Sequence, residues 1–337
     1  MVIWIPHRTQ SLSLKEVVWL RAARSNVESR LCQFSKKTMT KNAFEPENRC
    51  LDISTKRIAI LITCHNRREK TIRCLGAVAD SKLASNFQIA VFLVDDGSKD
   101  GTALAVHRKF PFVHIIQGNG SLYWNGGMHL AWEEASKQDF DYYFWLNDDT
   151  YLFADSLARM LETFEKIPNG ESVRTIIIGT TIDPKSGRPT YGGQVKVSRW
   201  NGFKFRLAIP ENKPLPCDTL NGNCALIPRE VFRIVGNLEE KFIHTMGDID
   251  YGLRARIKGC SIWVATGFIG ECTRNSLEGT YCDATLSPIS RVKQMLQPKG
   301  LPMRQWKLMT KRHLGPFWFF FWLYPYVRAL FPMRLKK

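Results

Sequence analysis

The chain has 337 residues, of which 44% are hydrophobic and 12% aromatic, so it can build a sizeable core and is not a disordered polypeptide. Its formal charge of +17 lies in the flanks: residues 1–50 carry +5 and residues 288–337 carry +11, which leaves +1 for residues 51–287. Because the central region is nearly neutral, we expect no nucleic-acid partner.

Short apolar runs alternate with helical patterns from residue 57 onward. The predicted elements are, in order, a strand over 57–63, a helix over 70–79, a strand over 88–94, a helix ending near 109, a strand over 113–117, a loop over 118–127, a helix over 128–137, a strand ending before 147, a helix over 155–166 and a strand over 174–179. This alternation predicts an α/β fold with a mostly parallel, Rossmann-like sheet flanked by helices. A looser stretch rich in Gly and Pro over 183–193 predicts a smaller antiparallel extension.

Two of the apolar runs end on adjacent aspartates. Asp95 and Asp96 follow the run over 89–94, and Asp148 and Asp149 follow the run that begins at Tyr142. Ligands of parallel sheets bind at the carboxyl ends of the strands, where a carboxylate pair is costly unless a cation lies against it. A divalent metal, a nucleotide, or both would meet that requirement.

Two common nucleotide-binding motifs are absent from the sequence. Gly118-Asn-Gly120 begins like a dinucleotide fingerprint, but Tyr123 stands where the third glycine is required. The acidic residue that binds ribose in proteins with this fingerprint is also not found at the required position, and there is no P-loop.

Four segments in a fixed order carry a family resemblance. They are Thr63-Cys-His-Asn66, Val94-Asp-Asp-Gly-Ser98, Asn147-Asp-Asp149 and the segment over 247–256, which begins Gly-Asp-Ile-Asp. Together they resemble the inverting family 2 glycosyltransferases of the GT-A fold, and among them the rhamnosyltransferase-like members. The resemblance covers about residues 57–275.

The resemblance implies roles for individual residues. Asp248 matches the family's catalytic base, with Asp250 as the second candidate, and Asp149 matches the ligand of a divalent cation, Mn or Mg. Asn147 replaces the first acid of the family's DxD-type motif, which leaves the metal site less charged. The residues expected to bind the nucleotide or the donor sugar are Thr63, His65, Asn66, Arg67, Asp95, Asp96, Asn119, Trp124, Asn125, Asp148, Asn221 and Asn223.

Structural roles are open alternatives for several of these residues. Asp248 and Asp250 are spaced to cap a helix or to pair with Arg254 and Arg256. Trp124 and Asn125 are equally suited to core packing. The segment over 221–225 is also typical of a simple turn.

The resemblance implies transfer of a sugar from a nucleotide-sugar donor to a hydroxyl acceptor, lipid-linked or saccharide, with inversion. One alternative is a sugar-1-phosphate nucleotidyltransferase, although the loop after the first strand lacks the glycine pattern such enzymes use. Another is a non-catalytic basic adaptor at a membrane or nucleic acid, which the central charge of +1 argues against.

The C-terminal flank predicts contact with a membrane surface. Residues 316–327 are almost all aromatic or apolar, but they are fewer than a spanning helix needs and Pro325 interrupts them. Aromatic rings among Lys and Arg suit the interface of an anionic bilayer, with packing on the protein's own surface as the alternative. We therefore expect three parts: a basic flank over 1–50, a GT-A domain over 51–287 and a membrane-proximal segment over 288–337. The nine cysteines contain no CxxC pair, which favours the reducing cytoplasm. Together with the C-terminal flank, this predicts peripheral association with the inner face of the membrane.

Overall fold

The computed structural model describes residues 55–167, 173–197 and 203–331. The predicted N-terminal flank and residues 332–337 lie outside these ranges. Within them, the chain forms one nine-stranded sheet, one three-stranded sheet and helices on both faces of the larger sheet.

The strands are β1 (Lys56–Cys64), β2 (Phe87–Asp95), β3 (Val113–Gln117), β4 (Tyr142–Leu146), β5 (Tyr151–Leu152), β6 (Thr175–Ile182), β7 (Gly193–Lys196), β8 (Phe205–Leu207), β9 (Leu215–Pro216), β10 (Thr219–Leu220), β11 (Cys224–Pro228) and β12 (Ser261–Glu271). The large sheet has the order β3-β2-β1-β4-β11-β6-β12-β5, with β9 also paired to β12, and the small sheet has the order β10-β7-β8. The strands β3, β2, β1 and β4 are mutually parallel, whereas β11 is antiparallel to both of its neighbours. The small sheet is antiparallel throughout. These pairings confirm the predicted α/β class with an antiparallel extension.

The helices are α1 (Arg68–Ala79), α2 (Thr102–Lys109), α3 (Tyr123–Ser136), α4 (Ser156–Glu165), α5 (Arg229–Val235), α6 (Gly247–Ile257), α7 (Pro288–Met295), α8 (Met303–His313) and α9 (Trp318–Ala329), with a short 3₁₀ turn over Gly315–Phe317. Two hydrophobic clusters, one on each face of the large sheet, bury the apolar residues of its central strands. Burial on both faces explains why β1 is a continuous apolar run rather than an alternating one.

The register brings the polar strand ends together. Cys64 pairs with Asp95 across β1 and β2, and Leu61 of β1 pairs with Trp145 of β4. The residues that follow β1, β2 and β4 therefore meet at one edge of the sheet, as the sequence predicts.

The predicted start of α3 at residue 128 is wrong, because the helix begins at Tyr123. Consecutive glycines suggested a loop, but Gly127 allows close packing of the helix against a strand. A Cβ at Gly127 would lie 2.1 Å from Oγ1 of Thr63. Only glycine lets the first turns of α3 approach β1 this closely.

The prediction that Pro325 interrupts the aromatic run is also wrong, because α9 continues through it. A proline within a helix leaves the carbonyl four residues earlier without its amide partner. Here that carbonyl belongs to Phe321, and the indole N–H of Trp306 donates to it at 3.3 Å. Within the described ranges, no helix combines the length and apolar character needed to cross a bilayer.

Candidate active site

A cavity of about 500 Å³ opens at the edge where β1, β2 and β4 end. The start of α3, Tyr191, the turn between β10 and β11, the loop before α6, the segment after β12 and one residue after α7 complete its described wall. The predicted site residues that line it are Thr63, His65, Arg67, Asp96, Trp124, Asp148, Asp149, Asn221, Asn223 and Asp248.

Backbone amides hold the carboxylate of Asp96. Its Oδ1 accepts from the amide of Gly120 at 2.7 Å, and its Oδ2 accepts from the amide of Tyr123 at 3.0 Å. The neighbouring Asp95 accepts from the amide of Ser98 at 3.0 Å. Both carboxylates are almost fully buried, and amide dipoles rather than a side-chain cation compensate them.

A guanidinium group holds the second pair. Nη1 of Arg67 lies 2.9 Å from Oδ1 of Asp148, and its Nη2 contacts Oδ2 of Asp149. Burial raises the pKa of Asp148 to about 7, although the charge of Arg67 opposes that shift. Burial lowers the pKa of Arg67, but the two carboxylates more than offset this and raise it.

Some oxygens of this pair stay outside the arginine contact. Oδ2 of Asp148 is buried and has no hydrogen-bond partner among the described residues. Oδ1 of Asp149 lies 3.9 Å from Sγ of Cys272, which lines the same cavity. Asn147 is bound elsewhere, because its Oδ1 accepts from the indole N–H of Trp124 at 2.7 Å. Oδ2 of Asp148 and Oδ1 of Asp149 are therefore the oxygens of this pair that do not contact Arg67.

Asp248 lies in the first turn of α6, and its side chain lines the cavity. Oδ2 accepts from the amide of Gly222 at 3.0 Å, and Oδ1 accepts from the amide of Ile249 at 2.8 Å. Burial raises the pKa of this carboxyl group, while these amides oppose the shift. A carboxylate with a raised pKa, fixed at a cavity wall, is suited to accept a proton.

The loop before α6 is held in a strained and crowded conformation. Met246 has a φ of 73°, in the left-handed region that non-glycine residues rarely adopt. A Cβ at Gly247 would lie 1.7 Å from Oδ1 of Asn125. The side chain of Asn125 donates to the carbonyls of Glu239 and Phe242. Asn125 thus fixes the loop that leads to Asp248.

Several predicted donor-binding residues do not line the cavity. Asn125 is fully buried in the contacts just described, and Asp95 forms its turn with Ser98. Asn66 accepts from the amide of Lys99, while Asn119 accepts from the amide of Ser121. In the structure these residues shape the loops of the site, and their short polar side chains suit turns as well as ligands.

Asp250 lies away from the cavity, in a buried ion network. Its carboxylate is completely buried and accepts from Arg254 at 2.7 Å, from Arg312 at 2.8 Å and from His313 at 2.8 Å. Burial raises the pKa of Asp250, but the His313 hydrogen bond and Arg254 outweigh it, so the net pKa is lowered. This geometry gives Asp250 no access to a substrate and corrects its proposed role as a base. The pairing with Arg254 is the structural alternative that the spacing allowed.

Other cavity residues were missed from the sequence. They include Tyr191, His244, Asn275 and Lys299. None belongs to a recognisable motif, and Lys299 lies in the flank expected to face a membrane. Only the tertiary fold brings them to the site.

Comparison with known proteins gives a family match over the central region. The model of the family described as "Glycosyl transferase family 2" matches residues 59–236, more than half of the chain. The match favours the transferase interpretation over the nucleotidyltransferase and adaptor alternatives, and it agrees with the predicted GT-A type of fold.

The chain also resembles individual proteins. It is 23% identical over 197 residues to the N-acetylglucosaminyl-diphospho-decaprenol L-rhamnosyltransferases of two Mycobacterium tuberculosis strains, CDC 1551 and H37Rv, covering 52% of this chain and 64% of each relative. Among solved structures it is similar to S. aureus TarS 1-349 in complex with UDP, at 12% identity and a TM-score of 0.47, covering 78% of this chain and 72% of that chain. A second S. aureus TarS structure has 12% identity and a TM-score of 0.49, covering 81% of this chain and 49% of that chain.

Proposed function

Because the chain belongs to glycosyl transferase family 2, we propose that it transfers a sugar from a nucleotide-sugar donor to an acceptor hydroxyl, with inversion at the anomeric carbon. One observation supports this most directly: a single cavity contains both the Asp148–Asp149 pair and Asp248. The first two residues suit the leaving diphosphate side of such a reaction, and the third suits the acceptor side.

The proposed reaction assigns Asp248 as general base. As the acceptor oxygen forms its bond to the anomeric carbon, its proton passes to the carboxylate of Asp248. The bond between that carbon and the phosphate oxygen breaks, and the nucleoside diphosphate leaves with the electron pair. The raised pKa of Asp248 strengthens it as a proton acceptor once it is ionised.

A divalent cation, Mn or Mg, fits the second aspartate pair. Oδ1 of Asp149 and Oδ2 of Asp148 are free of Arg67, and the thiol of Cys272 faces Asp149. No group of three or more His, Cys, Asp or Glu residues in the described ranges is arranged to hold a metal, so the donor's diphosphate would complete the coordination. When bound, the cation would neutralise charge on the leaving diphosphate.

A test uses purified protein, a panel of nucleotide-sugars and Mn²⁺. The proteins compared are wild type, Asp248→Asn and the control Glu162→Gln, whose carboxylate is exposed on α4. Kinetic assays measure turnover of the donor, and calorimetry measures binding of the nucleoside diphosphate. We expect Asp248→Asn to abolish transfer while nucleotide affinity is retained, and the control to match wild type. Transfer left intact by Asp248→Asn would contradict the assignment of the base, and absence of donor binding in wild type would contradict the function.

We also propose that the acceptor is lipid-linked and that the protein associates peripherally with the cytoplasmic face of an anionic membrane. The relatives named above act on a diphospho-decaprenol, as their names state. In α9, Phe320 is 70% and Tyr324 is 66% exposed, with further exposed apolar residues beside them. The described part of the C-terminal segment contains no acidic residue. An exposed aromatic face with positive charge suits the interface of an anionic bilayer.

Vesicle sedimentation tests the membrane proposal. Wild type is compared with Phe320→Ser/Tyr324→Ser and with the control Phe112→Ser, an exposed aromatic residue on the loop before β3. We expect binding to vesicles containing phosphatidylglycerol, a clear loss in the double variant and no loss in the control. Equal binding of all three proteins would contradict α9 as the membrane contact.

A further inference from the structure

The C-terminal segment contributes directly to the wall of the cavity. Lys299 lies between α7 and α8, more than 60 residues after the end of the family match at residue 236, and it lines the cavity with Asp248. Its ammonium group makes no ion pair or hydrogen bond with any residue that the structure describes. The other arginine or lysine in the cavity wall, Arg67, is paired with two aspartates. Of the described lysines and arginines in the cavity wall, Lys299 is therefore the one whose charge remains available to a ligand.

The turn that carries Lys299 is tightly built. The amide of Gly300 donates to the carbonyl of Gln297 at 2.8 Å, and the amide of Leu301 donates to Met295 at 2.6 Å. A Cβ at Gly300 would lie 2.3 Å from the carbonyl oxygen of Met295, so a larger residue has no room there. The backbone position of Lys299 is consequently set by its neighbours rather than by its own side chain.

This turn is also bonded to the wall of the cavity and to α9. The hydroxyl of Thr245, three residues before Asp248, donates to the carbonyl of Gly300 at 2.9 Å. The hydroxyl of Tyr326 in α9 donates to the carbonyl of Leu301 at 2.6 Å. Met309 of α8 packs with Phe242 and Met246 of the loop before α6. The segment that supplies Lys299 is thus part of the site and not a separate tail.

The surroundings of Lys299 favour an anionic ligand. His244 lines the same part of the wall, with a buried Nδ1 that has no partner among the described residues. Burial, and then the charge of Lys299, lowers the pKa of His244 to about 4, so this imidazole is neutral at physiological pH. A neutral imidazole can donate a hydrogen bond, and a lysine ammonium is a common partner of phosphate.

We propose that Lys299 forms a phosphate-binding subsite of the cavity, supplied by the C-terminal segment. The inference rests on the proposed function, which offers two sources of phosphate: the diphosphate of the donor and a phosphate linking the acceptor sugar to its carrier. In either case Lys299 contacts the phosphate group directly. The phosphate supplies the negative charge that the ammonium group does not find among the described residues.

The test compares wild type, Lys299→Met, Lys299→Arg and the control Lys293→Met. Lys293 is an exposed residue on α7 of the same basic segment and does not line the cavity. Calorimetry measures binding of the nucleoside diphosphate that wild type binds best and of the corresponding nucleoside. Steady-state kinetics measure KM for an acceptor sugar with a phosphate-linked lipid and for the same sugar without phosphate.

If the donor supplies the phosphate, Lys299→Met weakens nucleoside diphosphate binding about tenfold or more and leaves nucleoside binding unchanged. If the acceptor supplies it, nucleotide binding is unchanged and KM rises about tenfold for the phosphate-linked acceptor alone. Lys299→Arg, which keeps the positive charge, retains most of the wild-type binding. Lys293→Met behaves like wild type. Equal losses for nucleoside and nucleoside diphosphate, or no change in any constant, would overturn the subsite. Wild type that binds no nucleoside diphosphate would instead count against the proposed function.

Discussion

Two Asp-Asp pairs lie at the same edge of one sheet, and the protein compensates their negative charge in different ways. Asp96 accepts from two backbone amides, those of Gly120 and Tyr123. Asp148 and Asp149 share the guanidinium group of Arg67. Amides of a fixed loop cannot leave the carboxylate while the fold persists. A side-chain cation can be displaced or joined by another ion, so the second pair is the one suited to exchange partners with a ligand.

The difference predicts that substitutions in the two pairs have different consequences. Changes at the amide-bound carboxylate should lower the free energy of unfolding, because the loop loses its acceptor. Changes at the arginine-bound carboxylates should impair the reaction more than the fold.

Asp149→Asn should have the largest effect of the substitutions considered for this comparison. It removes the charge from the carboxylate that faces Cys272 and contacts Arg67, and we expect transfer to fall by about 10³-fold or more. The melting temperature should change little, because Arg67 keeps Asp148 as a partner. Initial rates at saturating donor and Mn²⁺, together with thermal melts, provide the measurement.

The matched control is Asp155→Asn, an exposed aspartate beside α4 that pairs with Arg159. It should retain wild-type activity. A folded Asp149→Asn protein with at least half of the wild-type rate would show that the carboxylates of the second pair, like those of the first, serve the fold rather than the reaction.

The sequence predicted the sheet edge and both pairs because apolar runs closed by polar residues are a local signal. It did not predict how each pair is compensated. The amides that hold Asp96 come from the loop before α3 and from its first residue, 24 to 27 residues away. The start of α3 was missed because glycine signals both loops and close packing, and only the fold shows that Gly127 approaches Thr63.

The candidate site was likewise predictable from the sequence only in part. Asp248 and Asp250 are two residues apart in one helical turn, and the sequence could not show which faces the cavity. The answer depends on Arg312 and His313, which come from α8 more than 60 residues later. Lys299 was hidden for the same reason, since its place in the cavity depends on the packing of α8 against the loop before α6.

Asp250→Asn sharpens the comparison, because Asp250 is also bound by arginine but lies outside the cavity. Removing one partner of a buried ion network leaves the others uncompensated, so we expect a loss of about 3 kcal/mol in the free energy of unfolding at pH 7. Burial raises the pKa of Asp250, but the His313 hydrogen bond and the two arginines outweigh it and hold the folded pKa below the ordinary value of 3.8. Its stabilisation is therefore fully present above about pH 4 and is lost as the pH falls through the folded pKa.

Urea unfolding of wild type and Asp250→Asn between pH 3 and pH 7 checks this prediction. The two stability curves should converge at the acid end. Glu239→Gln, at the partly exposed end of the same network, should cost less. A constant difference across the whole pH range would mean that the ionised carboxylate of Asp250 does not stabilise the fold.

Asp96→Asn tests the amide-bound pair, and Asp95→Asn is its matched comparison. An asparagine at 96 keeps one oxygen acceptor but turns an NH₂ group toward the second backbone amide, so one buried amide loses its partner. We expect a loss of about 2 kcal/mol in the free energy of unfolding. Among the described residues, the carboxylate of Asp95 accepts from one amide, that of Ser98. An asparagine oxygen can replace that acceptor, so the loss should stay under about 1 kcal/mol. Urea unfolding of both variants at pH 7 gives the two values. Equal losses would mean that the two amides bound to Asp96 stabilise the fold no more than the single amide bound to Asp95. The two aspartate pairs would then differ only in the contact that Arg67 makes with Asp148 and Asp149.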